Sequence, residues 1–453
     1  MSARVLSLQP ASAAGTALPE RIGKYLVKSK IGEGATSEVF LATDPFRNSE
    51  VAIKRVRTGL LADSRELHFQ QRFFASEAAL VGQLEHPNVV QILDAVVDDA
   101  APYLVMEYVP GITLRRFCRA DALLAIEQVV EIGFKCAMAL DYCFRQGLIH
   151  RDVKPANLLA VVDGEHITDI KITDFGSVFN LAADHTQVHR VGSLAYMSPE
   201  QLDGDPVDCR ADIYSLAGVL YHLIAGRPPF DATQQQAIMY QIFNAEPPPL
   251  AALREDVPEA LAALVQRSLA KSRERRPADW QAFAAELSAL AAAGTSARGA
   301  ARQVLDSERF TLLRSLEFFA DFGDVELWEV VHRAKWQRHG FGHALFRKGE
   351  QGNRFHIIAQ GKVEVYRDGR SVASLAAGTS VGEMAYLAPN PELGVHTVDI
   401  LVAQPTTTVS FTPETLEQLS LTTRLRFDKA FIRVLVRRLH AAHEAVAHPR
   451  RIL

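Results

Sequence analysis

The chain has 453 residues, which is more than one ordinary hydrophobic core organises and therefore predicts two or three domains. Its net charge of −4 and its charged fraction of 23% are typical of a globular protein and give no reason to expect a nucleic-acid surface. No stretch reaches about 18 consecutive apolar residues, so no transmembrane helix is predicted, and the four scattered cysteines favour reduced core thiols in a cytosolic protein over a zinc site.

The first elements in chain order combine a glycine-rich turn with a strand that ends in a lysine. Residues 1–20 are rich in Ala and Ser and are predicted to form a flexible tail. In the turn that follows, Gly32 and Gly34 let the backbone come close to phosphate oxygens, because no Cβ is in the way. The alternating segment 51–54 then ends in Lys54, which is suited to serve as a point charge beside phosphates.

A helical pattern over residues 73–84 carries Glu77, the predicted ion-pair partner of Lys54. Glu66 and Glu85 lie nearby, and a helix glutamate is more often a solvated surface charge. The nine-residue interval from Glu77 to His86 favours Glu77.

The most informative feature is the pairing of the segment 150–157 with the later triplet 174–176. The first reads His-Arg-Asp-Val-Lys-Pro-Ala-Asn and the second reads Asp-Phe-Gly. Together they place a base (Asp152), a lysine (Lys154), an amide metal ligand (Asn157) and a carboxylate metal ligand at the spacing that phosphoryl transfer from ATP needs.

With these motifs in order, residues 25–290 resemble a eukaryotic-type, bacterial-like serine/threonine protein kinase domain. Residues 192–200 resemble the end of an activation segment, and residues 212–218 resemble the helix that supports the catalytic loop. Arg276 resembles the late arginine that pairs with Glu200. The resemblance implies a two-lobed α+β fold over residues 21–290, with ATP bound between the lobes.

The resemblance also implies a role for each matched residue. Asp152 orients the substrate hydroxyl and accepts its proton, Lys154 lies near the transferring phosphate, and Asn157 and Asp174 hold Mg2+. Lys54 holds the α- and β-phosphates and is positioned by Glu77. The implied ATP contacts come from the glycine-rich turn, the lysine strand, the hinge and the metal ligand: Ile31, Gly32, Glu33, Gly34, Val39, Ala52, Lys54, Glu107, Val109 and Asp174.

Two hydroxyl residues between Asp174 and Glu200 are candidate phosphorylation sites. They are Thr186 and Ser193, and a phosphate on Thr186 is expected to order the segment through Arg151. Ser193 has an alternative role, because a contact to the catalytic loop would shape the substrate site without phosphorylation.

Helical periodicity dominates the rest of the kinase-like part, and a different pattern begins near residue 307. Helices are predicted over 129–144, 211–225, 261–269 and 278–290, and the small, polar residues 291–306 are predicted to be a linker.

After the linker, a helical stretch at 312–336 leads into short strands. Alternation at 362–366 indicates a half-buried strand, and Gly349, Gly361 and Gly369 are spaced as turns. This pattern resembles the β-roll of cyclic nucleotide-binding domains. The resemblance covers about residues 312–448 and implies a domain over 307–453. A terminal helix at 425–447 is implied.

The phosphate-binding segment of that second domain departs from the pattern of the family it resembles. Gly382, Glu383, Met384 and Ala385 match the ligand-binding turn, with Glu383 placed for a ribose hydroxyl. His396, however, stands where the family has an arginine, and a neutral imidazole has neither the permanent charge nor the bidentate fork of a guanidinium. The residues are compatible with three alternatives: a cyclic nucleotide, a different ligand, or a β-roll used only for packing or dimerisation.

The sequence therefore predicts a cytoplasmic serine/threonine protein kinase that uses ATP and Mg2+, acts on a protein substrate and is regulated by a C-terminal cyclic nucleotide-binding-like domain. A cyclic nucleotide or other small-molecule effector and a homodimer are the further partners expected. The alternative is a pseudokinase-type scaffold, although the residues that such proteins usually lose, Lys54, Asp152 and Asp174, are retained.

Overall fold

A computed structural model describes residues 18–34, 37–57, 74–75, 77–97, 102–164, 166–175, 179–180, 194–297, 305–388, 390 and 393–447. The chain divides into two compact units. The N-terminal unit comprises residues 1–85, 90–111 and 173–178, and the C-terminal unit comprises 86–89, 112–172 and 179–453.

The N-terminal unit is built on an antiparallel sheet of six strands in the order β1-β2-β3-β4-β6-β5. Alternate residues of these strands face one apolar core, which includes Phe40, Val51, Ile53, Tyr103 and Val105. The strands are β1 (Arg21–Ile22), β2 (Tyr25–Glu33), β3 (Ser37–Asp44), β4 (Ser49–Val56), β5 (Ile92–Val96) and β6 (Tyr103–Glu107).

The helix predicted over 73–84 is shorter than expected. Among its described residues, helical geometry ends at Ala78, and the chain continues to Gln83 through tighter turns such as Leu80 N–H to the Glu77 carbonyl, 3.0 Å. Gly82 then adopts a left-handed φ of 67° and donates its N–H to the Ile92 carbonyl, which ends the helical run.

The first part of the C-terminal unit is mainly helical, and the helices predicted at 129–144, 211–225 and 261–269 are confirmed to within three residues at each end. The helix at 209–225 begins where the Asp208 side chain accepts from the Arg210 N–H and ends at Gly226, whose φ is 70°. The helices are α1 (Ile126–Arg145), α2 (Pro199–Asp203), α3 (Cys209–Ala225), α4 (Gln235–Asn244), α5 (Glu259–Ser268) and α6 (Trp280–Ala297).

Short strands and single 3-10 turns connect these helices. The strands are β7 (Gly111–Thr113), β8 (Leu148–Ile149), β9 (Leu158–Asp163), β10 (His166–Ile172) and β11 (Phe179–Asn180). The 3-10 turns here are Leu114–Phe117, Pro155–Asn157, Leu194–Tyr196, Leu250–Ala252 and Arg273–Arg275.

Part of the predicted linker is helical. Helix α6 runs to Ala297, beyond the predicted end at 290, and the three alanines at 291–293 have the high helix propensity that favours the start of this extension. A further helix, α7 (Asp306–Ser315), begins at the predicted end of the linker. The residues between, 298–304, lie outside the described part of the chain.

The prediction of one continuous helical stretch at 312–336 is wrong. It is divided into the end of α7, a 3-10 turn (Glu317–Phe319) and α8 (Asp324–Arg333), and Trp336 already belongs to strand β12. Phe318, Phe319 and Phe322 are buried in the break. Burial of these aromatic rings therefore outweighs the local preference for a continuous helix.

The β-roll consists of six antiparallel strands, and the strand predicted at 362–366 lies within the longest pair. The turn predicted at Gly361 is wrong. Gly361 lies inside β14, at the position where the register to β17 shifts. Its φ is 92°, and a Cβ there would lie 2.5 Å from the Pro405 carbonyl oxygen, so the bulge requires glycine. The strands are β12 (Lys335–His339), β13 (Ala344–Phe346), β14 (Phe355–Arg367), β15 (Arg370–Ala376), β16 (Ser380–Val381) and β17 (Asp399–Phe411).

Three helices complete this region: α9 (Glu383–Tyr386), α10 (Pro413–Glu417) and the C-terminal helix α11 (Leu421–Ala447). The inner face of α11 buries Phe427 and Phe431, which contact Phe355 at centroid distances of 6.1 and 4.9 Å. The terminal helix predicted at 425–447 is thus present and packs on the β-roll. Among the described helices, none combines the length and the hydropathy that a membrane span requires.

A buried histidine makes the stability of the C-terminal unit depend on pH. His86 Nδ1 accepts from the Asn88 N–H at 3.0 Å and its ring lies 5.3 Å from that of Tyr142, so protonation would break a buried hydrogen bond. Burial, with a smaller effect of the Lys171 charge, lowers the pKa of His86 to about 3.

Since the folded-state pKa lies below the unfolded value of about 6.5, the stabilising contribution is complete above that value and is lost as the pH falls towards 3. We expect His86→Phe to reduce the pH dependence of the free energy of unfolding by about 1.4 kcal/mol per pH unit in this range. Urea denaturation of both proteins between these pH values measures the two slopes, and equal slopes would contradict the assignment.

Candidate active site

A partly buried charge cluster joins three predicted site residues within the N-terminal unit. Lys54 Nζ lies 2.7 Å from Glu77 Oε2 and 2.7 Å from Asp174 Oδ1. The Glu77 side chain is only 4% exposed, so it is not a solvated surface glutamate. Lys54 therefore joins strand β4 to the short helical segment and to the residues after β10. The sequence predicted the contact between Lys54 and Glu77.

The electrostatics of this cluster favour a charged lysine. Burial alone would lower the pKa of Lys54, but the charges of Asp174 and Glu77 outweigh it and raise the pKa above its usual value. Burial raises the pKa of Glu77, and the attraction of Lys54 opposes that effect. The cluster holds one cation between two carboxylates, so its excess negative charge suits a bound metal cation near Asp174.

The glycine-rich turn is a β-hairpin whose tip includes residues 35–36, which lie outside the described part. Gly32 pairs with Val39, and the Gly34 N–H donates to the Ser37 carbonyl at 2.8 Å. A Cβ on Gly32 would lie 3.3 Å from the Val39 Cβ, which is a tight contact. Ile31 and Glu33 are exposed on this hairpin, whereas Ala52 is buried on the neighbouring strand.

The predicted hinge follows strand β6. The Glu107 N–H donates to the Gln91 carbonyl at 2.9 Å, so any adenine contact from Glu107 has to use its carbonyl oxygen. Val109, two residues further, is buried.

The catalytic loop of the C-terminal unit brings Asp152, Lys154 and Asn157 together. Lys154 Nζ lies 2.7 Å from Asp152 Oδ2, and the Asn157 amide nitrogen donates to the same oxygen at 3.1 Å and to the Asp152 carbonyl at 2.9 Å. Because the amide nitrogen is engaged in this way, the amide oxygen of Asn157 is the atom that a metal ion would use. The oxygen donors Asn157 and Asp174 thus fit the chemistry of Mg2+.

Helix α3 holds the catalytic loop in place through Asp212. Its buried carboxylate accepts from the backbone N–H groups of His150 (2.7 Å) and Arg151 (2.8 Å). Arg151 has a positive φ of 62°, a conformation that these two bonds stabilise. Burial raises the pKa of Asp212, and the nearby His150 acts in the opposite direction.

A second buried ion pair fixes the segment after the activation loop. The Arg276 guanidinium makes a bidentate contact to Glu200, with N–O distances of 2.6 and 2.8 Å. The Arg276 side chain is fully buried and also donates to the Ala270 carbonyl. The pairing predicted from the sequence is therefore present. The candidate phosphorylation sites Thr186 and Ser193 lie outside the described residues.

In the C-terminal domain, the structure shows a contact that the sequence did not predict. Glu383 is 1% exposed and bonds to Arg438 of helix α11, whose guanidinium also donates to the Ser380 carbonyl at 2.8 Å. Burial raises the pKa of Glu383, and Arg438 opposes the shift. No sequence signal distinguished Arg438 from the six other arginines between Arg424 and Arg451, since the contact depends on how α11 packs.

The other predicted residues of this domain lie on either side of Glu383. Gly382, with a φ of 84°, precedes α9, while Met384 is exposed and Ala385 is buried. The His396 ring packs on Phe346 at a centroid distance of 4.0 Å, and burial lowers the pKa of His396, partly offset by Glu350.

Comparison with known proteins agrees with this geometry. Residues 25–287 match the protein kinase domain family, and residues 338–422 match the cyclic nucleotide-binding domain family. The predicted fold class, a kinase fold followed by a β-roll with flanking helices, is thereby confirmed.

Curated relatives match the kinase part. The serine/threonine-protein kinase PknB of Mycobacterium leprae is 36% identical over 269 residues, which are 58% of this chain and 42% of the relative. PknB of Mycobacterium tuberculosis is 34% identical over 301 residues, 64% of this chain and 46% of the relative. A probable serine/threonine-protein kinase of Clostridium acetobutylicum is 34% identical over 264 residues, 58% of this chain and 38% of the relative.

The chain thus spans less than half the length of these relatives. Its kinase match nevertheless covers more than half of its own 453 residues. The chain belongs to the protein kinase family and carries a cyclic nucleotide-binding domain after its kinase domain.

Proposed function

We propose that this protein is a serine/threonine kinase that transfers the γ-phosphate of ATP to hydroxyl groups of a protein substrate. The observation that carries the proposal is the position of Lys54, at 2.7 Å from both Glu77 and Asp174. A partly buried lysine held by two carboxylates, one of them almost fully buried, is costly to maintain for packing alone, which favours a catalytic reason for the cluster.

Each residue has a task that follows from its chemistry. Asp152 accepts the proton of the substrate hydroxyl, and Lys154 places a positive charge beside it, where negative charge develops on the transferring group. Asn157 and Asp174 would hold Mg2+, whose charge offsets that of the phosphates. Lys54 binds phosphate oxygens, and Glu77 keeps its ammonium in place.

The proposal is tested by incubating the full chain with γ-labelled ATP, Mg2+ and a generic basic protein. We expect label on serine or threonine after acid hydrolysis, and no label when EDTA removes the metal. Label on tyrosine alone, or none with intact folded protein, would contradict the proposal.

We further propose that the C-terminal domain restrains the kinase through a contact between α1 and α7, called the joint below. Lys135 of α1 is 3% exposed, and its Nζ lies 2.9 Å from Asp306 of α7 and 3.1 Å from Asp169 of β10. Glu131, one turn earlier, accepts from the backbone N–H and the hydroxyl of Ser307. The domain is therefore attached by buried, directional contacts to helix α1 of the kinase domain.

Aromatic packing adds to the joint. Phe134 of α1 contacts Phe310 of α7 at 6.0 Å and Trp328 of α8 at 6.2 Å, and the last two stack at 4.8 Å. At the other end of α1, Arg145 pairs with Asp324 at 2.9 Å. Such a contact has the apolar centre and polar edge of a specific interface.

The joint is connected to the catalytic residues through one hairpin. Asp169 contacts Lys135 and also accepts from the Asn88 side chain at 2.7 Å. It lies on β10, in the hairpin of β9 and β10, which starts directly after Asn157 and ends two residues before Asp174. A displacement of α7 would therefore act on the strands that lie in the chain between the two proposed metal ligands.

The replacement Lys135→Met tests the regulatory role. It removes the cation that Asp306, Asp169 and Glu131 share, so the joint is expected to open and the transfer rate to rise about 5-fold or more. Lys171→Met, on the same hairpin but outside the ion cluster, is the matched control. The test compares the initial rates of phosphate transfer by the two folded variants. An unchanged or lower rate for Lys135→Met would contradict restraint through the joint.

We propose a small-molecule effector other than a simple cyclic mononucleotide for this domain. The lowered pKa of His396 favours a neutral imidazole at the arginine position, and Arg438, the arginine that contacts the predicted ligand-binding turn, is engaged by Glu383. A desolvated cyclic phosphate would thus lack the bidentate guanidinium partner at position 396 that the family supplies. In the transfer assay, cAMP and cGMP are expected to leave the rate unchanged. Cyclic dinucleotides are tested in the same assay. A response to either mononucleotide would contradict the proposal.

A further inference from the structure

A cavity of about 600 Å³, called the α7 cavity below, lies in the C-terminal domain at a place that no motif of the sequence marks. Its first wall is the end of α7 with the turn that follows it, within residues 312–317. Its second wall consists of residues 359–361 of β14 and residues 377–379, the turn between β15 and β16. Ser315 and Gln360 are exposed, so a dissolved molecule has access. Sites for small organic molecules have volumes of this order.

Both walls are fixed by hydrogen bonds to backbone groups. On the β-roll side, the Gly378 N–H donates to the Ile358 carbonyl at 2.8 Å, and the Ile358 N–H donates to the Thr379 carbonyl at 2.9 Å. The turn and β14 therefore form one piece. On the other side, Arg433 of α11 donates to the Glu317 carbonyl at 3.2 Å. The cavity is thus bounded by ordered backbone on both sides, as is usual for ligand sites.

A glycine keeps the two walls apart. Gly378 has a left-handed φ of 87°, a conformation that residues with a Cβ rarely adopt. A Cβ at this position would lie 3.9 Å from the backbone nitrogen of Glu317 on the other wall. Any longer side chain would therefore extend into the space between the walls, and glycine leaves that space open.

The lining of the α7 cavity is partly apolar and carries no positive charge. Apolar side chains share it with neutral polar ones: Leu312, Leu316 and Ala377 with Ser315, Gln360 and Thr379. Among the lining residues, all of which the structure describes, Glu317 is the only charged one, and its carboxylate pairs with Arg437 at 2.6 Å. A phosphate or carboxylate ligand would therefore lose its hydration without gaining a counter-charge. An uncharged molecule with one apolar side and a few hydrogen-bonding groups fits this lining.

The α7 cavity is distinct from the turn predicted to bind a cyclic nucleotide. That turn comprises residues 382–385 together with His396, and within the described part of the chain none of these lines the cavity. Glu383 of the turn bonds to Arg438 of α11, whereas the cavity lies against the end of α7. A ligand in the cavity consequently does not need an arginine at position 396.

Helix α7 connects the cavity with the joint. Leu312 and Ser315 line the cavity, and Asp306, at the first position of the same helix, bonds to Lys135 of the joint. The two ends of α7 are about 14 Å apart, since a helix rises about 1.5 Å per residue. Phe310 and Leu313 are buried between them, so the helix is held as one body and a displacement of its end also displaces its start.

We propose that the α7 cavity binds an uncharged, partly apolar small molecule and that this molecule lowers the rate of phosphate transfer. The inference rests on the restraint proposed above and adds to it the site and the chemical class of the effector. A molecule in the cavity contacts α7 and the β-roll together, so it stabilises the arrangement in which both walls are in place. In that arrangement Asp306 and Ser307 bond to α1. Binding therefore strengthens the joint, and the restraint with it.

The binding test uses a pool of small aromatic fragments in matched pairs, each an amide and the carboxylate of the same skeleton, with benzamide and benzoate as one pair. Ligand-observed NMR with the full chain measures which members bind. We expect amides to bind and their carboxylate partners to bind at least about 10-fold more weakly. Ala377→Phe places a ring in the cavity from an exposed position and should remove this binding. Ala373→Phe, the same change at an exposed position of β15 outside the cavity, is the matched control and should keep it.

The rate test adds the amide that binds most tightly to the transfer assay. At saturation the transfer rate of the native chain and of Ala373→Phe should fall about 5-fold or more, whereas the rate of Ala377→Phe should not respond. Circular dichroism checks that both variants are folded.

The two tests fail separately. Absence of binding by every amide, binding that survives Ala377→Phe, or equal binding of amides and carboxylates would overturn the site. Binding at the cavity with an unchanged or higher transfer rate would overturn its inhibitory role. A native chain that transfers no phosphate would contradict the proposed function, and the NMR result would still decide whether the α7 cavity is a binding site.

Discussion

Replacing Asp174 by Asn is expected to lower kcat/KM for phosphate transfer on the order of 1,000-fold. The amide keeps the size of the side chain but removes the charge that would hold Mg2+ and that lies 2.7 Å from the Lys54 ammonium. Lys54 keeps Glu77 as its partner, so the thermal stability of the protein should change little. Steady-state kinetics of the purified variant measure the loss.

The control for this variant is Asp163→Asn, the same chemical change at an exposed position of β9. Its kcat/KM should equal that of the native chain within about twofold, because surface substitutions away from such features have small effects. If Asp174→Asn were as active as this control, the metal-binding and phosphate-positioning roles given to the Lys54 cluster would be wrong.

The second large effect concerns stability. Glu200→Ala is expected to reduce the free energy of unfolding of the C-terminal unit by about 3–5 kcal/mol, because it leaves the fully buried Arg276 guanidinium without its counter-charge. Urea denaturation followed by circular dichroism measures the change.

A double variant separates the lost ion pair from lost packing. Glu200→Leu/Arg276→Met replaces both charges with apolar groups of similar size, and it should recover most of the stability that Glu200→Ala loses. A double variant that is less stable than the single one would show that the hydrogen bonds of Arg276 to backbone carbonyls, and not the pair with Glu200, supply the stabilisation.

The kinase part was predictable because its chemistry resides in short motifs with fixed spacing. Asp152, Lys154 and Asn157 are close in sequence and necessarily close in space, and the pairing of Lys54 with Glu77 followed from the family pattern. Helices such as α1 and α3 were found from their 3.6-residue period, and only their ends differ.

The contacts that join the C-terminal domain to the kinase could not be predicted in the same way. Lys135 and Asp306 are 171 residues apart in the chain; Lys135 reads as an ordinary helix surface charge and Asp306 as the last residue of the predicted linker. The break at residues 316–323 was missed because local helix propensity gives no information on aromatic burial. Arg438 likewise becomes a partner of Glu383 only when α11 packs on the β-roll.

The most direct test of the central claim is to measure ATP binding and phosphate transfer in the same preparation of the full chain with Mg2+. Equilibrium binding gives the occupied fraction, and a single-turnover experiment with limiting labelled ATP gives the fraction transferred to a protein serine or threonine. The account predicts both binding and transfer, with transfer lost in Asp152→Asn while binding is kept, because Asp152 acts on the hydroxyl and not on the nucleotide. Binding with no transfer by the native chain would contradict it and identify a nucleotide-binding scaffold instead.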